Sequence, residues 1–135
     1  MIAIQTFERP ASIARARRPL VKRGAVTMTL DPLLVSWNGV RVALSPVEAE
    51  VLGAVIRRSR MPWYDVNALL ASLGCCAESR DVLIHRIRRK FAAVGARDPI
   101  ETVRGWGLRF RVEGDRDGST AFWIGASEDE PILAH

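Results

Sequence analysis

Residues 101–110 read ETVRGWGLRF. The pair Gly105 and Gly107 brackets Trp106, with Arg104 immediately before it. A Gly-X-Gly of this kind fits either a phosphate-cradling loop or the tip of a β-hairpin. A phosphate loop would need a Lys-Ser/Thr after its glycines and a helix to follow. Neither is present. LRFRV instead alternates, with Leu108, Phe110 and Val112 on one face and Arg109 and Arg111 on the other. PIETV before the glycines also reads as a strand. The stretch is therefore a hairpin, over about 100–112, whose tip presents Arg104.

Upstream lies a helix over about 79–94. Leu83, Ile84, Ile87 and Phe91 share one sector of its wheel, and Asp81, Val82, His85, Arg88 and Arg89 point the other way. Arg86 lies at the margin, and Gly95 ends the helix. DVNALLASLG gives a shorter helix, with Asp65 as its cap and Val66, Leu69, Leu70 and Leu73 inward. The first helix opens at SPVEAEVL, where Ser45, Pro46 and Glu48 make a capping box with proline at its first position. Its apolar stripe is Val51, Leu52, Val55 and Ile56, and Pro62 is expected to stop the chain beyond it. Before this helix, LLVSW and VRVAL flank Asn38-Gly39, a strong hairpin signal because a type I′ turn needs positive φ at both positions.

This order defines an α+β chain: an N-terminal antiparallel sheet, a three-helix bundle and a C-terminal β-hairpin wing, the layout of a winged helix-turn-helix. A hydrophobic content of 48% supports a packed core. The charge is unevenly placed. Residues 1–24 hold six Lys/Arg against one acid, residues 25–112 thirteen against eight, and residues 113–135 one against six. The expected domains are a basic, mostly flexible arm over 1–24, a DNA-binding domain over 25–113, and an acidic tail over 114–135 with a short strand at Ala121–Ile124. Such asymmetry favours a polyanionic partner, nucleic acid before membrane. No apolar run is long enough for a membrane span. The adjacent Cys75-Cys76 suggests a reducing compartment, hence a cytoplasmic, nucleoid-associated protein.

Residues about 25–113 resemble the effector domain of OmpR/PhoB-type response regulators. LSPVEAEVL, DVLIHRIRRKF and IETVRGWGLRF carry the resemblance. It implies a four-stranded N-terminal sheet, the three-helix bundle and the wing. It also implies transcription control in bacteria through sequence-specific binding of double-stranded DNA, with two protomers on direct repeats. Only a short basic arm precedes the sheet, so a receiver domain with its phospho-aspartate switch is not expected in this chain. The loop before the third helix is shorter than is usual in the family. That loop tends to contact RNA polymerase, which remains a candidate partner. Leu83 stands where the family commonly has His, Leu108 replaces its usual aromatic, and Arg80 replaces an apolar residue.

The chemistry of the candidate residues agrees with that partner. Arginine reads guanine through two parallel hydrogen bonds in the major groove, and an exposed apolar side chain such as Val82 suits a thymine methyl. By position, the resemblance implies that His85, Arg86 and Arg88 contact DNA, and the wheel turns Arg89 outward as well. In the wing it implies that Thr102 bonds a phosphate and Arg104 enters the minor groove, whose narrow stretches attract arginine. Gly105 and Gly107 are expected to permit the turn. Lys90, Arg109 and Arg111 are expected to meet phosphate or to be only solvated, and Trp106 to pack on the third helix or meet the DNA backbone. The arm could enter a groove or serve as an electrostatic tail. Two alternatives stay open: a protein-interaction module contacting RNA polymerase or another regulator, and an architectural or recombination DNA-binding protein. No nucleophile–base pair is oriented by a third group, and no metal-ligand spacing occurs, so neither an enzyme nor a cofactor is expected.

Overall fold

The computed structural model describes residues 19–125. Four strands open the domain: β1 (Leu20–Arg23), β2 (Val26–Leu30), β3 (Leu33–Trp37) and β4 (Val40–Val42). They are antiparallel neighbours in register. Asn38 and Gly39 both take positive φ, 47° and 83°, as the β3–β4 turn requires. One cross-strand row decides which face is buried. Val21, Met28, Val35 and Val42 stand opposite one another across the four strands, and all are sealed from solvent.

Helix α1 (Pro46–Arg58) lies against this row. The expected capping box is present. The Ser45 hydroxyl accepts from the Glu48 amide at 3.2 Å, and the Ser45 amide donates to Glu48 Oε1 at 2.8 Å. Gly53 marks the closest approach of α1 to the sheet, because a Cβ there would stand 2.9 Å from Met28 Sδ. Strand β5 (Arg60–Pro62), α2 (Trp63–Ser72), a 3₁₀ turn (Ala77–Ser79) and α3 (Arg80–Ala93) follow. The chain then forms β6 (Ile100–Val103), β7 (Gly107–Phe110) and β8 (Phe122–Gly125). Leu83, Ile84, Ile87 and Phe91 of α3 join Val66, Leu70, Met61, Ile100 and Leu108 in one core with α1 and the sheet.

Several boundaries differ from expectation. The arm ends earlier than residue 24, because Leu20–Arg23 is strand β1. Its Lys22-Arg23 pair resembles an arm in composition, but Val21 completes the buried row. Arg23 also turns inward, donating to the Ile56 carbonyl at 3.0 Å and to Ser59 Oγ at 2.7 Å. These bonds serve the C-terminal end of α1, where carbonyls lack helical partners. The rest of the expected arm, residues 1–18, lies outside the described residues, as does the acidic end from 126.

Strand β8 falls within one residue of its expected place and extends the N-terminal sheet to five strands, in the order β4-β3-β2-β1-β8. The wing is a three-stranded sheet, β5-β7-β6, rather than a bare hairpin. Pro62 does not simply stop α1. It ends β5 and is the N-cap of α2, so Asp65 lies within the first turn and not at the cap. There it suits the helix dipole and pairs with Arg58 at 2.7 Å.

Candidate nucleic-acid interface

The apolar sector of α3 is fully used by the core, which turns Val82, His85, Arg86 and Arg89 to solvent. Val82 is 50% exposed. Arg86 and Arg89 take part in none of the ion pairs formed among the described residues.

Arg88 behaves differently from the expectation that it reads DNA. Its Nε donates to Asp98, 3.1 Å from Oδ1 and 2.8 Å from Oδ2. Its Nη2 donates to the Ile100 carbonyl and to Thr102 Oγ1, both at 3.0 Å. Asp98 Oδ1 in turn accepts from the Ile100 amide at 3.0 Å. Arg88 therefore spends its fork on the base of the wing, and it locks α3 to β6. Thr102 is exposed, as a phosphate contact requires, while its hydroxyl already accepts from Arg88.

Lys90 is also committed inward, a correction to its expected place at phosphate or in free solution. Its ammonium lies 2.6 Å from Glu48 Oε1, and the Glu48 carboxylate is buried. Burial alone would raise the Glu48 pKa. The Lys90 hydrogen bond and the Ser45 amide outweigh it and hold the carboxyl below its ordinary 4.5. A folded-state pKa below the unfolded one adds stability above about pH 4.5, and that stability is lost as pH falls through the folded value. Lys90→Ala should therefore cost about 1–3 kcal/mol at neutral pH, by leaving a buried carboxylate without its cation. It should also remove part of the acid-induced loss. Urea melts at pH 7 and pH 3 check both, and a salt dependence of DNA binding equal to the wild type's would confirm the inward role.

In the wing, Gly105 takes φ +74° at the tip, and Trp106 N–H closes the turn on the Val103 carbonyl at 2.9 Å. Arg104 and Gly105 are exposed. Gly107 serves a different purpose from the expected one. Its φ is not positive, but a Cβ there would fall on the Met61 carbonyl oxygen of β5. It is the point where the backbones of β5 and β7 press together. Trp106 has a partner on β5 that neither expectation named. Its ring lies 4.9 Å beneath the Arg60 guanidinium, and its carbonyl accepts from the Trp63 amide at 2.8 Å.

Arg109 is bonded to Glu101, with Nη2 at 2.6 Å and Nε at 3.0 Å from Oε1. That bond holds the Glu101 carboxyl below its ordinary pKa. Arg111 is half-buried, and its positive charge favours the ionised form of the same carboxylate. At the start of α3, Arg80 replaces an apolar residue without exposing the core. Its guanidinium covers the Trp63 ring at 4.0 Å and donates to Asn67 Oδ1 at 3.3 Å. Cys75 and Cys76 are free thiols, the first half-buried and the second exposed. Among the described residues no cluster of three metal-ligand side chains occurs, and no helix is long and apolar enough to cross a membrane.

A three-helix bundle with a basic third helix, locked at its side to a β-wing, defines a winged helix-turn-helix. No protein-family model matches the chain. It is 31% identical over 98 residues to a transcriptional regulatory protein, YvcP, of Bacillus subtilis, covering 69% of this chain. The matched part spans 41% of that relative's length. The structure is similar to the DNA-binding domain of RstA from Klebsiella pneumoniae, solved in complex with the RstA box. The two share 27% identity with a TM-score of 0.55, over 67% of this chain and 95% of that one. Both likenesses are consistent with an effector domain of the OmpR type.

Proposed function

We propose that this chain is a sequence-specific double-stranded-DNA-binding transcription regulator, with α3 in the major groove and the wing tip in the minor groove. The observation that carries this reading is the Arg88 bridge. By tying α3 to β6 through Thr102 and Ile100, it makes the exposed face of the helix and the wing one continuous surface. On that surface Arg86, Arg89 and Arg104 have no carboxylate partner among the described residues. Solvent-exposed cations without internal partners are suited to phosphates and base edges rather than to fold stability.

Within this reading, Arg86 addresses a guanine edge, Val82 a thymine methyl, and His85 and Arg89 the adjoining bases or phosphates. Arg104 lies in the minor groove, with the hydroxyl of Thr102 and the open tip at Gly105 against the flanking backbone. The likeness to YvcP and to the RstA domain supports the same reading.

Salt titration tests it. Binding to duplex DNA should weaken linearly in log salt, with a slope of roughly −3 or steeper, at about 0.9 per neutralised phosphate. A chain that is not retained by duplex DNA even at low salt would instead be a protein-interaction module.

A further inference from the structure

The outer face of the wing carries a second cationic surface that the reading above does not use. Glu101, Arg109 and Arg60 stand opposite one another across β6, β7 and β5. The next row, Thr102, Leu108 and Met61, points the other way, and its Leu108 and Met61 are in the core. The Glu101 row therefore faces solvent on the side of the wing turned away from the bundle. Arg60 and Arg109 are directly opposed like charges, an arrangement that costs a sheet stability. Glu101 is bonded to Arg109 and leaves Arg60 without a carboxylate among the described residues.

Arg60 is nevertheless held in place. Its guanidinium lies over the Trp106 ring, and a stack of this kind leaves the N–H edges of the fork free for an anion. Both ends of its strand are tied. The Phe110 amide donates to the Ser59 carbonyl at 2.8 Å, and the Trp63 amide donates to the Trp106 carbonyl at 2.8 Å. An arginine on an anchored strand, oriented by a half-exposed tryptophan beside the wing tip, is pre-organised for a fixed partner.

We propose that this outer face grips the DNA phosphates of the strand on the far side of the minor groove, with Arg60 as the principal contact and Trp106 as its positioning residue. The proposal rests on the reading that the wing tip enters that groove. A wing so placed has one backbone strand on each side. The Thr102 side adjoins α3 and meets the nearer strand, which leaves the Arg60–Arg109 row facing the other. Charge complementarity to a row of phosphates then explains why the sheet retains opposed arginines.

The test uses the full chain and a duplex that it binds, in two forms. One is unmodified, and the other carries neutral methylphosphonates at the phosphates flanking the wing's outer side. Wild type should bind the neutralised duplex severalfold more weakly. Arg60→Gln should bind both duplexes alike, with its salt slope reduced by about 1 and its preferred sequence unchanged. Arg60→Lys, which keeps the charge, should restore most of the slope. An Arg60→Gln variant with wild-type affinity and slope overturns the proposal, including the case in which it loses only an acidic protein partner. A wild-type chain with no affinity for duplex DNA fails earlier, and overturns the DNA reading itself.

Discussion

Gly107→Ala should destabilise the domain by about 3 kcal/mol, at the upper end of the usual cost of overpacking. The added methyl would land on the Met61 carbonyl oxygen and 2.7 Å from the Pro62 Cα. Both are backbone atoms, so no side-chain rotation relieves the contact. The β5–β7 pairing of Arg60 with Arg109 and Met61 with Leu108 would have to open. Met61 and Leu108 are core residues, so the opening reaches the bundle. Gly105→Ala is the informative contrast. Nothing lies within 4 Å of a Cβ there, and the cost comes from φ +74° alone, about 1 kcal/mol. Urea melts of the two variants separate the roles. Equal losses would mean that Gly107 does not hold the strands together.

Arg86→Ala should leave stability within about 0.5 kcal/mol, because the side chain is exposed and takes part in no ion pair among the described residues. Its effect should fall on DNA. Loss of a bidentate base contact costs about 1–3 kcal/mol and relaxes the preference at one base pair. The separation matters for interpretation. A binding loss in a variant with unchanged melting belongs to the interface. The same loss in an Arg88 variant would not, since Arg88 holds Asp98, Ile100 and Thr102.

Much of the fold was legible in local patterns. The Asn38-Gly39 turn, the Ser45–Glu48 box and the inward stripe of α3 are set by neighbours within four residues, which sequence periodicity reports. The alternation of LRFRV put Leu108, Phe110 and Val112 on one face, and that face is the buried one, with Val112 partly covered at its end. Strand β1 was missed because Lys22 and Arg23 look like part of a basic arm, whereas Arg23 is held by Ile56 and Ser59, over thirty residues away. Strand β5 was missed because three residues are too few to show a period, and its proline reads as a stop.

The site was legible as a surface but not in each side chain. The wheel alone turns Val82, His85 and Arg89 to solvent and leaves Arg86 at its margin. The inward turns of Arg88 and Lys90 depend on Asp98 and Glu48, ten residues ahead and forty-two behind. A wheel carries no record of such partners. The same holds for Trp106, which stacks with Arg60 on a strand that the pattern did not reveal.

The central claim is that α3 and the wing read a DNA sequence together. Selection of bound duplexes from a random pool, run in parallel with wild type, Arg86→Ala and Arg104→Ala, tests it most directly. The wild type should enrich one motif. Arg86→Ala should relax a position within its major-groove element, and Arg104→Ala should weaken the adjoining preference at the minor groove. Recovery of no motif, with all three proteins binding the pool alike, would contradict the account.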